Sequence, residues 1–127
     1  NIGKTNWVID KVKVHALDLA VEKGKSIDDL KVAYLGLTFK ADIDDLRESP
    51  STHIVSELSK TLKNYCCVEP NISESEVFPL VSLDYAIGQA DLLVVLVGHR
   101  DFITQRQQIL NADADSIDFC GALRISQ

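Results

Sequence analysis

Between Gly36 and Ser51 the chain reads GLTFKADIDDLRESPS, a segment crowded with side chains that can hold an anion. Gly36 allows a tight turn and a close approach of backbone to ligand. Phe39 offers an apolar face to a base or sugar, and Lys40 an ammonium to phosphate or carboxylate oxygens. Arg47 carries a planar fork suited to bidentate contact with a second anion. Ser49 and Pro50 read as the N-cap and first residue of a helix, whose free N–H groups and dipole favour negative charge. Together these parts suit a nucleotide diphosphate. The same residue types also permit a plainer arrangement. Phe39 could be core, and Lys40 and Arg47 could pair on the surface with Asp42, Asp44, Asp45 or Glu48 for little energy. Acids ahead of a helix also complement its dipole.

Other candidates are weaker. No G-x-G-x-x-G or G-x-x-x-x-G-K-[ST] pattern occurs. Glu69 resembles a ribose-binding acid, but it lies further from Gly36 than the dinucleotide fingerprint places one. His15 and His53 fall on helices with partly exposed faces expected, and His99 follows an apolar strand on the presumed ligand edge. None has a second histidine or cysteine at ligand spacing, so no metal site is expected. Cys66, Cys67 and Cys120 form neither a disulfide framework nor a zinc pattern. Neighbouring strand residues face opposite ways, so Cys66 and Cys67 could not share a metal. Reduced, mostly buried thiols are expected.

The elements that would position these residues alternate. Val8, Val12, Ala16 and Leu19 recur at helical spacing, giving a helix from Asn6 to about Glu22, capped by Asn6 or Thr5 and stopped at Gly24. KVAYLG, Lys31 to Gly36, is a β-type run ending where the crowded segment begins. The helix at Pro50 carries the stripe Ile54 or Val55, Leu58 and Leu62. YCCVEP is a strand stopped by Pro70, followed by loop and a short strand near Val81. A helix over Asp84 to Gln89, the buried strand DLLVVLV, a helix from Phe102 to Leu110 capped by Asp101, and a strand SIDFC complete the chain. Strand and helix alternate from residue 31 onward. Short connections make the strands parallel with right-handed crossovers, an α/β doubly wound sheet preceded by one separate helix. In such sheets ligands sit at the carboxyl ends of the strands near the switch in strand order. The Gly36 loop lies on that edge.

A chain of 127 residues is one domain by size. The net charge of −6 argues against nucleic acid or an anionic membrane as the main partner. The longest apolar run, Leu92 to Val97, is far short of a membrane span. No secretory pattern opens the chain, and a cytoplasmic location is expected. The complete lack of methionine reads as a domain fragment of a longer protein.

GLTFKADIDDLRESP, VEPN and ADLLVVLVGHRDF together resemble the C-terminal domain of the UDP-glucose/GDP-mannose dehydrogenase family, most closely the branch acting on UDP-N-acetylmannosamine. The resemblance covers nearly the whole chain. It implies that residues 1–26 end a central helical, dimerisation region and that residues 27–127 form a Rossmann-like UDP-sugar-binding domain. The implied activity is NAD-dependent oxidation of C6 of a UDP-sugar to the uronate, for polysaccharide biosynthesis, by a full-length enzyme that is a homo-oligomer. By position, Phe39 and Lys40 would contact the UDP-sugar, and Arg47 would reach NAD bound mainly by another domain. The family's cysteine nucleophile has no counterpart here, so the fragment alone should be inactive. Where Cys120 stands the family usually has a basic, substrate-binding residue, so the resemblance carries over no such contact at that position. Two rival readings fit some of the same residues. One is a non-catalytic nucleotide-binding or regulatory module. The other is a receiver-like domain, which would need acids where Gly36 and Leu37 end the first strand.

Overall fold

The computed structural model describes residues 2–38, 40–46 and 49–124. Four short parallel strands, β1 (Val32–Leu35), β2 (Tyr65–Val68), β3 (Leu92–Val95) and β4 (Asp115–Asp118), form one sheet in the order β2-β1-β3-β4. β1, at the centre, is buried along its whole length, as is β3. Their unbroken apolar runs are what a strand covered on both faces requires. The helices are α1 (Ile2–Lys23), α2 (Pro50–Leu58), α3 (Leu83–Gln89), α4 (Arg100–Thr104) and α5 (Arg106–Leu110).

Strand alternation sorts the core into two layers. Val32, Tyr34, Cys67, Leu92 and Val94 face one way and pack with Val8, Val12, Ala16 and Leu19 of α1 and Ile54, Val55 and Leu58 of α2. Ala33, Leu35, Cys66, Val68, Leu93 and Val95 face the other way, against Leu83 and Ala86 of α3, Phe102 of α4 and Ile109 of α5. The chain passes from β1 to β2 on one side and returns to β3 on the other. Right-handed crossovers then require helices on opposite faces. The doubly wound α/β reading is borne out, and Cys66 and Cys67 do lie in opposite layers.

Several local expectations need correction. The leading helix is not separate, because α1 shares the core of α2 and the sheet. It begins at Ile2, so Thr5 and Asn6 lie inside it rather than at its cap position; its stop at Gly24, with φ of 67°, is as expected. The α1 face turned away from the core carries exposed Trp7, Val14, Leu17 and Val21. The strand near Val81 reduces to a single bridge between Cys67 and Leu80. Asp101 is not a cap: His99 holds that position, and Asp101 sits in the first turn of α4, where a negative charge suits the dipole. The helix expected over 102–110 breaks at Gln105 into α4 and α5. The last strand ends at Asp118 rather than Cys120, because the Asp118 carboxylate accepts the N–H groups of Cys120, Gly121, Ala122 and Leu123 and curls the chain off the ladder. That turn leaves Cys120 exposed.

Candidate functional site

A cleft of about 690 Å³ opens at the carboxyl edge of the sheet, beside the switch in strand order. Its walls come from the start of α1, the loop after β1, the start of α2, and the turns after β3 and β4. Among the described residues, three cationic side chains line it from three elements: Lys4 of α1, Lys40 of the β1–α2 loop, and Arg124 beyond β4. Ser51 and Pro50 bring the amino end of α2 to the same wall. Ser49 caps that helix as expected, its hydroxyl accepting from the Ser51 N–H at 3.2 Å. The same hydroxyl donates to the Leu37 carbonyl at 2.6 Å, tying the end of the loop back to its beginning.

The loop's first residues are constrained further. Gly36 has φ of 101°, and a Cβ there would lie 2.6 Å from Val97 Cβ and 2.9 Å from the Val97 backbone nitrogen. Both backbone conformation and space therefore demand glycine. The Glu69 carboxylate accepts from the N–H of Leu37 at 2.7 Å and of Thr38 at 3.2 Å through one oxygen, and from Asn71 at 3.0 Å through the other. His99 Nε2 lies 3.0 Å from the same Glu69. Burial by itself would raise the Glu69 carboxyl, but the His99 bond and the Leu37 and Asn71 N–H groups outweigh it and hold the group below the ordinary carboxylate range.

Glu69 is therefore a strut between strand ends and is not open to a ribose. The N–H groups of Leu37 and Thr38, which a dinucleotide pyrophosphate would need at the β1–α2 turn, are already committed to it. The described residues do not fit a dinucleotide at that turn.

Of the site residues expected from the sequence, Lys40 lies on the cleft, exposed. Phe39 and Arg47 lie outside the described residues. Cys120 also lines the cleft, where a basic residue was expected. Desolvation pushes its thiol up to about 11, the Ala122 N–H opposing this and the nearby Asp118 carboxylate adding to it. Cys66 and Cys67 are buried, and desolvation raises both thiols. None of the three is an activated nucleophile.

Lys4, Arg124 and the pairing of His99 with Glu69 were not anticipated. Lys4 and Arg124 are far from the motif in sequence and meet it only through packing. The pair had a signal: Glu69 follows β2, His99 follows β3, and both strands flank β1, whose loop they hold.

The model of the UDP-glucose/GDP-mannose dehydrogenase family, UDP binding domain, matches residues 33–124. The UDP-N-acetyl-D-mannosamine dehydrogenase of Campylobacter jejuni is 41% identical over 111 residues, 81% of this chain and 25% of that protein. The enzyme of the same name from Salmonella typhi is 39% identical over 108 residues, 80% of this chain and 26% of that protein. The chain thus spans about a quarter of the length of the curated relatives it matches. In fold it is similar to the GDP-mannose dehydrogenase of Pseudomonas aeruginosa, with TM-score 0.74 and 23% identity over 100% of this chain and 30% of that one. It is also similar to the UDP-N-acetyl-mannosamine dehydrogenase of Staphylococcus aureus, with TM-score 0.73 and 24% identity over 99% and 29%. On the family match and these identities, the chain belongs to the UDP-glucose/GDP-mannose dehydrogenase family and carries its UDP binding domain.

Proposed function

We propose that this chain is the C-terminal substrate-binding part of an NAD-dependent UDP-sugar 6-dehydrogenase acting in polysaccharide biosynthesis. In this reading residues 1–26 end a central helical region and residues 27–127 form the UDP-sugar domain. The observation that carries it is the cleft itself, where Lys4, Lys40, Arg124 and the start of α2 converge at the switch in strand order. Three cations and a helix amino end suit the two phosphates of a nucleoside diphosphate. The names of the relatives favour UDP-N-acetylmannosamine as the sugar nucleotide.

In this reading Phe39 and Lys40 bind the sugar nucleotide, and Arg47 contributes to binding NAD held mainly by the remainder of the protein. Bound NAD would supply hydride acceptance, two molecules in turn for the four-electron oxidation of the C6 alcohol to a carboxylate, with water supplying the second oxygen. This chain's part is to bind and orient the sugar nucleotide. The nucleophilic cysteine belongs elsewhere in the protein, in keeping with the burial of Cys66 and Cys67 and the Cys120–Asp118 contact. The exposed apolar stripe of Trp7, Val14, Leu17 and Val21 on α1 supports a homo-oligomer of the whole enzyme.

Titration of the chain with UDP by calorimetry tests the reading. Lys40→Ala should weaken binding about tenfold, the scale of one charge-assisted hydrogen bond. Unchanged affinity would remove Lys40 from the site, and no UDP binding by the unaltered chain would count against the cleft. The chain alone should reduce no NAD with UDP-N-acetylmannosamine. Turnover by it would overturn the division of labour.

A further inference from the structure

Behind the cleft, His99 stands with no exposed surface, and both of its ring nitrogens are engaged. Nδ1 accepts the Asp42 N–H at 2.9 Å and lies 3.2 Å from Asn71 Nδ2. A backbone N–H can only donate, so Nδ1 carries no hydrogen and Nε2 does. Nε2–H then donates to Glu69 at 3.0 Å, with the Thr38 hydroxyl 3.3 Å away. That hydroxyl donates to the Lys40 carbonyl at 2.9 Å. Asp42 adopts φ of 60°, a left-handed conformation uncommon for a residue with a side chain. Its bond to His99 and its own carboxylate, accepting the Arg100 N–H at 2.8 Å, hold it there. Lys40 is thus bracketed in the chain by Asp42, bonded to Nδ1, and by Thr38, whose hydroxyl oxygen takes only the longer branch of the Nε2–H shared with Glu69 and whose N–H is held by the same Glu69.

We propose that His99 is the positioning residue that sets Lys40 on the cleft, through Asp42 on one side and Thr38 on the other. Glu69 fixes the ring's tautomer and so keeps Nδ1 free to accept. A direct part in chemistry is ruled out by the ring's burial and by the engagement of both nitrogens. The proposal rests on the assignment of Lys40 to nucleotide binding. It adds that the loop's shape is dictated from the neighbouring strands' ends. An apolar residue at 99 would leave the Asp42 N–H without its acceptor and strip Glu69 of the imidazole donor, leaving it only backbone N–H groups.

Two variants separate the two arms of the imidazole. His99→Asn places an amide near Nδ1 and can still accept from Asp42, whereas His99→Gln reaches Glu69 and abandons Asp42. UDP affinity of the chain should fall about tenfold in His99→Gln, the scale of one buried hydrogen bond, and less than about threefold in His99→Asn. Amide hydrogen exchange at Asp42, relative to core amides of β1, should quicken about tenfold in His99→Gln alone. Thr38→Val, which retains the imidazole, should weaken UDP about threefold and serves if His99→Gln does not fold. Equal UDP affinity in both His99 variants overturns the proposal, as does unchanged exchange at Asp42 in His99→Gln, or wild-type affinity in Thr38→Val. If the unaltered chain binds no UDP, the function assigned to Lys40 falls, while exchange at Asp42 still decides whether His99 holds the loop.

Discussion

At Gly36 a steric demand for glycine and the candidate ligand edge coincide. A methyl group there would sit 2.6 Å from Val97 Cβ on a backbone at φ of 101°, so strain and overlap add. Gly36→Ala should destabilise the chain by about 2–4 kcal/mol in urea unfolding, with slope unchanged. A loss under about 0.5 kcal/mol would mean that Val97 yields freely. Gly36 was legible in the sequence because glycine after an apolar run announces a turn. So was Ser49, whose placement before Pro50 has one common structural meaning. Lys40 was legible as a cation near a strand end. His99 was not, because an imidazole's use depends on which groups the fold brings to its two nitrogens. Asp118 misled for a related reason: its carboxylate ends β4 by collecting backbone donors, which no alternation of apolar residues foretells.

At the scale of elements, α1 is joined to the sheet by apolar contact along its length, by His15 against Asp115 of β4 at 3.2 Å, and by a polar cluster at its end. Asp91, just ahead of β3, accepts the Lys31 N–H at 2.9 Å and both Lys25 contacts at 3.0 Å, with Lys23 at 3.6 Å. The lysine pairs are part-exposed and contribute little, whereas the Lys31 bond secures the entry to β1. Asp91→Ala should therefore cost about 1–3 kcal/mol of stability, and Asp91→Asn, which can still accept from Lys31, distinctly less. Equal losses in thermal or urea unfolding would shift the weight to the charges. The expectation of a separate leading helix failed at this scale. Apolar residues lie on both sides of α1, so periodicity located a buried face without saying that the sheet's own core would cover it. The single helix expected over 102–110 failed because local backbone at Gln105, with φ of −101° and ψ of 21°, has no marker in residue type.

For the whole molecule, acid response follows from three partly or fully buried carboxylates. Burial opposes ionisation at Glu69, Asp91 and Asp118. Hydrogen bonds from His99 and Leu37, from Lys31 and Lys25, and from Leu123 and Cys120 respectively prevail and hold each carboxyl below its ordinary value. The folded chain then binds fewer protons than the unfolded chain in the acid range, so stability rises with pH there. Their stabilisation is complete above the ordinary carboxylate values of 4.5 and 3.8 and drains away as pH falls through the lower folded values. Urea midpoints should be level from about pH 6 down to about pH 5 and then fall; a flat profile to pH 3 would show that these bonds do not differ between folded and unfolded chains. Cys66 and Cys67 carry a last consequence. Adjacent in sequence, they end in opposite layers, one beneath α3, α4 and α5 and the other beneath α1 and α2. A thiol reagent added to the native chain samples them only when a layer parts from the sheet. The ratio of label at the two neighbouring positions therefore records, within a single peptide, which half of the sandwich opens first.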